Sequence, residues 1–169
     1  MASTYEPIAT TTLGSAQNSI TFGSGGTIPQ TYTDLILVFN GGISGYDYIY
    51  TQVGNGSIDT GSNYSGTILL RDGSGASSSR HSNGNYWQTF GWAIGILNDA
   101  NGFIHFQNYS NTTTYKTIIN RTNTAAYGTS AYVGLWRSTS AINTIRLTGV
   151  NSRNINAGST CTLYGIKAA

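Results

Sequence analysis

Charge is what this sequence has least of: eight Lys and Arg and six Asp and Glu in 169 residues, 8% in all, where an ordinary soluble domain carries about a quarter. The eight cations are scattered from Arg71 to Lys167 with no block of like charge. Nucleic-acid binding needs a basic stripe, so that class is set aside. A single cysteine, Cys161, excludes an internal disulfide framework and any zinc site built on several thiolates. Set between Thr160 and Thr162 in a strand pattern, it reads as a buried free thiol. No run is apolar enough to be read as a membrane span. Met1 to Leu13 lacks the basic start and apolar run of a signal peptide, so classical secretion is not expected. The Asn-x-Ser/Thr triplets at Asn55, Asn63, Asn108, Asn111 and Asn120 therefore carry no weight as glycosylation sites.

In place of charge there are 22 Gly, 12 Tyr and runs of Ser, Thr and Asn. That profile describes an all-β protein wetted by hydroxyls and amides. At 17.9 kDa the chain fits one domain, large enough to bury roughly 70% of its unfolded surface. No stretch has the apolar spacing of a useful amphipathic helix. β-Branched and aromatic runs between Gly, Asn and Ser clusters predict strands at Asn18 to Phe22, Thr33 to Asn40, Tyr46 to Val53, Gly66 to Arg71 and Trp87 to Leu97. Five more are predicted at Gly102 to Asn108, Tyr115 to Asn120, Ala131 to Trp136, Ile142 to Thr148 and Thr160 to Ile166. Period two places Cys161, Leu163 and Gly165 on one side of the last of these. The continuous run from Leu35 to Phe39 predicts a central strand covered on both faces. Strands in this number favour a jelly-roll-like antiparallel β-sandwich over a meander barrel.

Residues 1–17 read differently from 18–169, the sandwich domain. Tyr5, Pro7, Ile8 and Leu13 stand as anchors in a Thr and Ala background, which predicts an extended N-terminal arm docked on a partner or neighbouring subunit. Asp72 to Asn85 is the longest linker-like stretch, a polar surface loop able to carry recognition.

Chemistry has few groups to work with. Glycoside hydrolysis needs two carboxylates about 5 to 10 Å apart; Asp59 and Asp72 are the pair to consider, yet Asx turns account for both. His81 and His105 are the only histidines. His105 alternates with apolar neighbours on an outward strand face, and no metal site, cofactor or catalytic residue is expected. No Gly-x-Ser-x-Gly elbow is present, and Gly23 to Gly26 lacks the Lys-Ser/Thr of a phosphate loop. Trp87, Trp92 and Trp136 read as core. Tyr46, Asp47 and Tyr48, with His81 from the polar loop, form a possible glycan-binding set, since phenols offer flat apolar faces with a polar handle.

The segments Ser3 to Thr10 (STYEPIAT), Tyr32 to Val38 (YTDLILV), Thr60 to Ser65 (TGSNYS), Asn108 to Thr117 (NYSNTTTYKT), Gly134 to Asn143 (GLWRSTSAIN) and Gly158 to Ala169 (GSTCTLYGIKAA) together resemble small virion structural proteins of tailed bacteriophages, of the marine and cyanobacterial type. The likeness spans nearly the whole chain. It departs at Cys161, where an apolar residue such as Phe is expected, and at Asn55 to Asp59, where a tighter turn is expected. The resemblance implies a virion component with no catalytic residue, assembled in the host cytoplasm and exposed on the particle. A capsid decoration or cement protein bound to the major capsid protein or other virion proteins is expected, as a homotrimer by analogy. A tail-fibre or receptor-binding module recognising host glycans is the alternative.

Overall fold

The structure is a computed structural model that describes residues 4–45, 47–90, 100–124 and 126–167. Among them there is no α-helix, only a 3-10 turn at Val150–Ser152. Thirteen strands follow one another: β1 (Tyr5–Thr12), β2 (Ser19–Phe22), β3 (Asp34–Gly41), β4 (Ile49–Asn55), β5 (Ser57–Ile58), β6 (Tyr64–Arg71), β7 (Ala76–Gly84), β8 (Trp87–Phe90), β9 (Ala100–Gln107), β10 (Lys116–Thr124), β11 (Gly128–Trp136), β12 (Thr144–Gly149) and β13 (Thr160–Ile166). They form an eight-stranded sheet in the order β1-β13-β3-β9-β10-β11-β6-β7. A five-stranded sheet in the order β2-β12-β4-β5, with β8 also paired to β4, packs against it. Every strand pairing is antiparallel. The chain is an all-β sandwich. Its sheets are unequal, and the jelly-roll connectivity in particular is not what this order demonstrates.

Alternation makes the core. On β10 the residues strictly alternate buried and exposed from Lys116 to Thr124, so Ile118 faces inward and Ile119 outward. The inward rows of the large sheet, Leu35, Leu37 and Phe39 on β3, Ile104 and Phe106 on β9, and Cys161 and Leu163 on β13, meet Ile20, Phe22, Ile49, Val53, Ile145 and Leu147 of the small sheet. Trp87 fills the centre. Its ring meets Tyr64 edge-on at 5.2 Å, and its Nε1 donates to the Leu135 carbonyl at 3.2 Å. Gly134 leaves the space it occupies, because a Cβ there would stand 2.8 Å from that Nε1. Trp136 is buried as well, so two of the three tryptophans read as core are core, and Trp92 lies outside the described residues.

The arm expected at residues 1–17 is corrected to a strand. Residues Tyr5–Thr12 run antiparallel to β13 from Tyr5 opposite Ile166 to Thr12 opposite Thr160, and Leu13 enters the core. Hydropathy missed it because the joining is polar: Thr10 meets Thr162 at 3.0 Å and Thr12 meets Thr160 at 3.2 Å. A register shift between Pro7 and Ala9 also puts Ile8 out of phase. The polar loop expected at Asp72 to Asn85 is corrected too: after a turn capped by Asp72, β7 pairs with β6. β7 is exposed along nearly its whole length, so no apolar alternation announced it. The third correction concerns Leu35 to Phe39: β3 is central, but among the described residues nothing covers its Ile36 and Val38 face. Of the strand expected at Trp87 to Leu97, Trp87–Phe90 is β8, and residues 91–99 lie outside the described residues.

Candidate docking face

The outer face of the eight-stranded sheet is built by register. One row crosses it as Tyr164, Ile36, His105, Ile119, Val133, Thr67 and Arg80; the next as Thr162, Val38, Phe103, Arg121, Ala131, Leu69 and Ser78. Directly opposed residues share a face and touch. The two rows thus bring apolar side chains of five strands into one patch, exposed at Leu69 (61%), Val133 (55%), Ile119 (40%), Val38 (40%) and Phe103 (36%). A third row, Asn40, Asn101, Asn123, Thr129 and Arg71, borders it with amides. Two shallow grooves lie on this face. One of about 630 Å³ runs between Tyr5, Ile36, Val38, Phe103 and Arg121, and one of about 460 Å³ between Thr67, Arg80, Ile119, Val133 and Leu135.

Electrostatically the face is cationic. The described carboxylates are engaged within the chain: Glu6 by Lys167 at 2.8 Å, Asp34 by His105 at 2.8 Å, Asp47 by Asn151 at 3.0 Å, Asp59 by Trp136 at 2.7 Å and Asp72 by Ser74. His105 is on the outward face, as expected, and held there by Asp34. Arg71, Arg80 and Arg121 form no ion pair among the described residues.

The residues singled out from sequence lie elsewhere. Tyr5 is exposed at the end of β1 and lines the larger groove; Pro7 is exposed, Ile8 packs partly against the core, and Leu13 is buried. These four belong to one edge of the sheet and its corner. Tyr46 lies outside the described residues. Asp47 accepts from the Tyr48 amide at 3.1 Å and from Asn151. Tyr48 meets the Tyr86 hydroxyl at 2.8 Å, and Tyr50 stacks on Tyr86 at 4.5 Å. Burial first, and then the Tyr86 hydrogen bond, push the Tyr48 phenol well above its ordinary pKa. His81 sits on β7 and stacks on Tyr132 at 5.9 Å, with Nε2 3.3 Å from that hydroxyl; burial lowers its pKa. Tyr48 and His81 thus both touch Tyr86, through its phenol and its main chain, and the half-buried phenols face one another.

Asp59 and Asp72 flank β6 at its opposite ends. The eight extended residues of β6 that lie between them span roughly 23 Å, more than twice the reach of a glycosidase pair. Asp59 is a structural acceptor: desolvation raises its pKa, and hydrogen bonds from Trp136, Asn63 and the Gly61 amide outweigh that and hold it low. No cluster of His, Cys, Asp or Glu suited to a metal ion occurs among the described residues. Cys161 is buried, and its thiol is pushed far up by desolvation.

The docking face went unread in the sequence, although its signal was there. Adjacent apolar pairs such as Phe103 with Ile104 and Ile118 with Ile119 must place one member outward on any strand. No family model matches this chain, and no curated protein matches it.

Proposed function

We propose that this protein is a non-catalytic structural component of a bacteriophage particle, which lies against neighbouring virion subunits through the open face of its large sheet. The observation that supports the reading is that β3, β9 and β10 carry apolar residues for two faces while the described residues cover one. Strands apolar on both sides belong in the middle of a layered structure. The missing layer is supplied by a partner.

Size supports a protein partner over a small ligand. Eight strands about 4.8 Å apart and about 20 Å of exposed length make a face near 700 Å². A standard protein interface takes about 800 Å² from each side. The shallow grooves suit that flat geometry, and the low overall charge suits a surface with fixed neighbours. Decoration of the shell is the placement that the sequence resemblance favours.

The test is to purify particles of the phage that encodes this chain and count its copies by quantitative mass spectrometry. Copies on the order of hundreds place it on an icosahedral shell, and a few dozen or fewer on a tail. Its absence from washed particles rejects the reading. A Leu69→Asp, Val133→Asp double variant that still co-sediments with stripped shells at full occupancy rejects the docking face. A glycan array on the purified protein separates this reading from host-glycan recognition.

A further inference from the structure

The two edges of the eight-stranded sheet are finished differently. At β1, Pro7 removes a backbone donor, the register slips between Pro7 and Ala9, and the Glu6–Lys167 ion pair closes the end at 2.8 Å. Proline, irregular register and charge are the devices by which natural sheets keep another strand from adding. Over its first six residues β7 has no proline and no slip of register. Ala76 to His81 pair with β6 in unbroken register from Arg71 opposite Ala76 to Gly66 opposite His81, and the slip comes only beyond His81. Within that run Arg80 is the one charged residue apart from His81, and residues Ala76 to Arg80 are all exposed. The outward N–H and C=O groups of this strand form a straight, unguarded template.

Its side chains fit a particular occupant. Elsewhere this chain joins strands through opposed hydroxyls: Thr10 with Thr162, Thr12 with Thr160, Thr51 with Thr89 and Thr122 with Ser130, at 3.0, 3.2, 2.6 and 2.6 Å. Ser77, Ser78 and Ser79 present three more hydroxyls on β7, and none of these takes part in a hydrogen bond among the described residues. We propose that β7 pairs antiparallel with β7 of a second copy, about a two-fold axis at Ser78, so that the large sheet continues from one molecule into the next. Ser78 then opposes Ser78, Ser77 opposes Ser79, and Ala76 opposes Arg80.

Charge is compatible with this register, in which Arg71 of β6 stands one strand further on than the Ala76 that Arg80 opposes. It keeps the two Arg80 side chains apart and brings each to the Ala76 end of the other strand, beside the turn that holds Asp72. That carboxylate accepts from the Ser74 amide at 3.0 Å, the Ser74 hydroxyl at 2.6 Å and the Gly75 amide at 3.3 Å, all on Oδ1. Oδ2 is left to receive a guanidinium. Opposed residues on paired strands share a face, so both open faces look the same way and present one continuous surface. Edge pairing of one strand buries less than a standard interface, so the free protein associates weakly and reversibly. The pairing does not depend on what covers the open face.

Sedimentation velocity of the purified chain tests it. The wild type shifts from monomer to dimer as its concentration rises towards about 1 mM. Ser78→Lys sets two ammonium groups opposite each other and weakens association about tenfold or more, with an unchanged melting temperature. Under oxidation Ser78→Cys links two copies by a disulfide, Ser79→Cys does not, and the buried Cys161 stays out of the exchange. A monomer at every concentration, a trimer, a dimer undiminished by Ser78→Lys, or linkage through Ser79→Cys in preference to Ser78→Cys overturns the proposal.

Discussion

Ile118 and Ile119 are neighbours on β10, identical in chemistry, and they live in different environments. Ile118 is 1% exposed among Leu35, Phe106 and Trp87 of the core region, while Ile119 is 40% exposed beside Val133 and His105. The inner face of the large sheet is closed by aromatic packing and by Tyr64, whose hydroxyl accepts from the Val53 amide at 3.1 Å and so ties the two sheets together. The outer face also carries apolar residues, Leu69, Val133, Ile119, Val38 and Phe103, and none of the described residues covers them. Hydrophobicity is therefore shared by the two faces, and burial separates them. One face stabilises the fold, and the other stays exposed among the described residues.

Four experiments break or sharpen that contrast. The largest effect comes from deleting residues 1–13, which strips β1 from β13 and takes Leu13 out of the core; the loss exceeds the about 2–5 kcal/mol of Leu13→Ala alone, and circular dichroism will show an unfolded or aggregating chain. Were the shortened chain to fold normally, β1 would be an appendage after all. Next, Ile118→Ala costs about 2–5 kcal/mol in urea titration, whereas Ile119→Ala stays near about 0.5 kcal/mol. Equal costs would erase the difference between the faces.

Asp59→Asn comes third, at about 1–3 kcal/mol, because Trp136 and Asn63 donate to Oδ2 and the Gly61 amide to Oδ1, and an amide can accept at only one of those two positions. It also carries a pH signature. The folded pKa of Asp59 lies below its ordinary value of 3.8, so its contribution is full above that value and is lost as pH falls through the depressed one. Thermal melts from about pH 5 downward should show an acid-side slope that Asp59→Asn flattens. The smallest stability effect is that of Val133→Asp, within about 0.5 kcal/mol, yet particle binding should fall sharply. A variant that unfolds would mean the outer face is part of the core's support.

Strands carried by apolar alternation were legible from residues alone. Thr160 to Ile166 was read to its ends, and the central placement of Leu35 to Phe39 was correct. β1 and β7 were not legible, because β7 is paired through backbone groups and β1 through backbone groups and threonine hydroxyls, none of which hydropathy weighs. The separation of Asp59 from Asp72 was equally hidden, since thirteen residues of sequence do not say whether a chain turns back or runs on. Tyr48 and Tyr86 had to be brought together by the β4–β8 pairing before their phenols could be seen to face each other.

By itself the sequence determined a sparsely charged, all-β domain without an internal disulfide, with a buried thiol and few groups for catalysis, because composition and period two act locally, residue by residue. Which apolar residues are covered and which stay exposed was decided only by the tertiary structure. Side-chain period allots residues to two faces of a strand. The packing of one sheet on the other then chooses which of those faces becomes the interior.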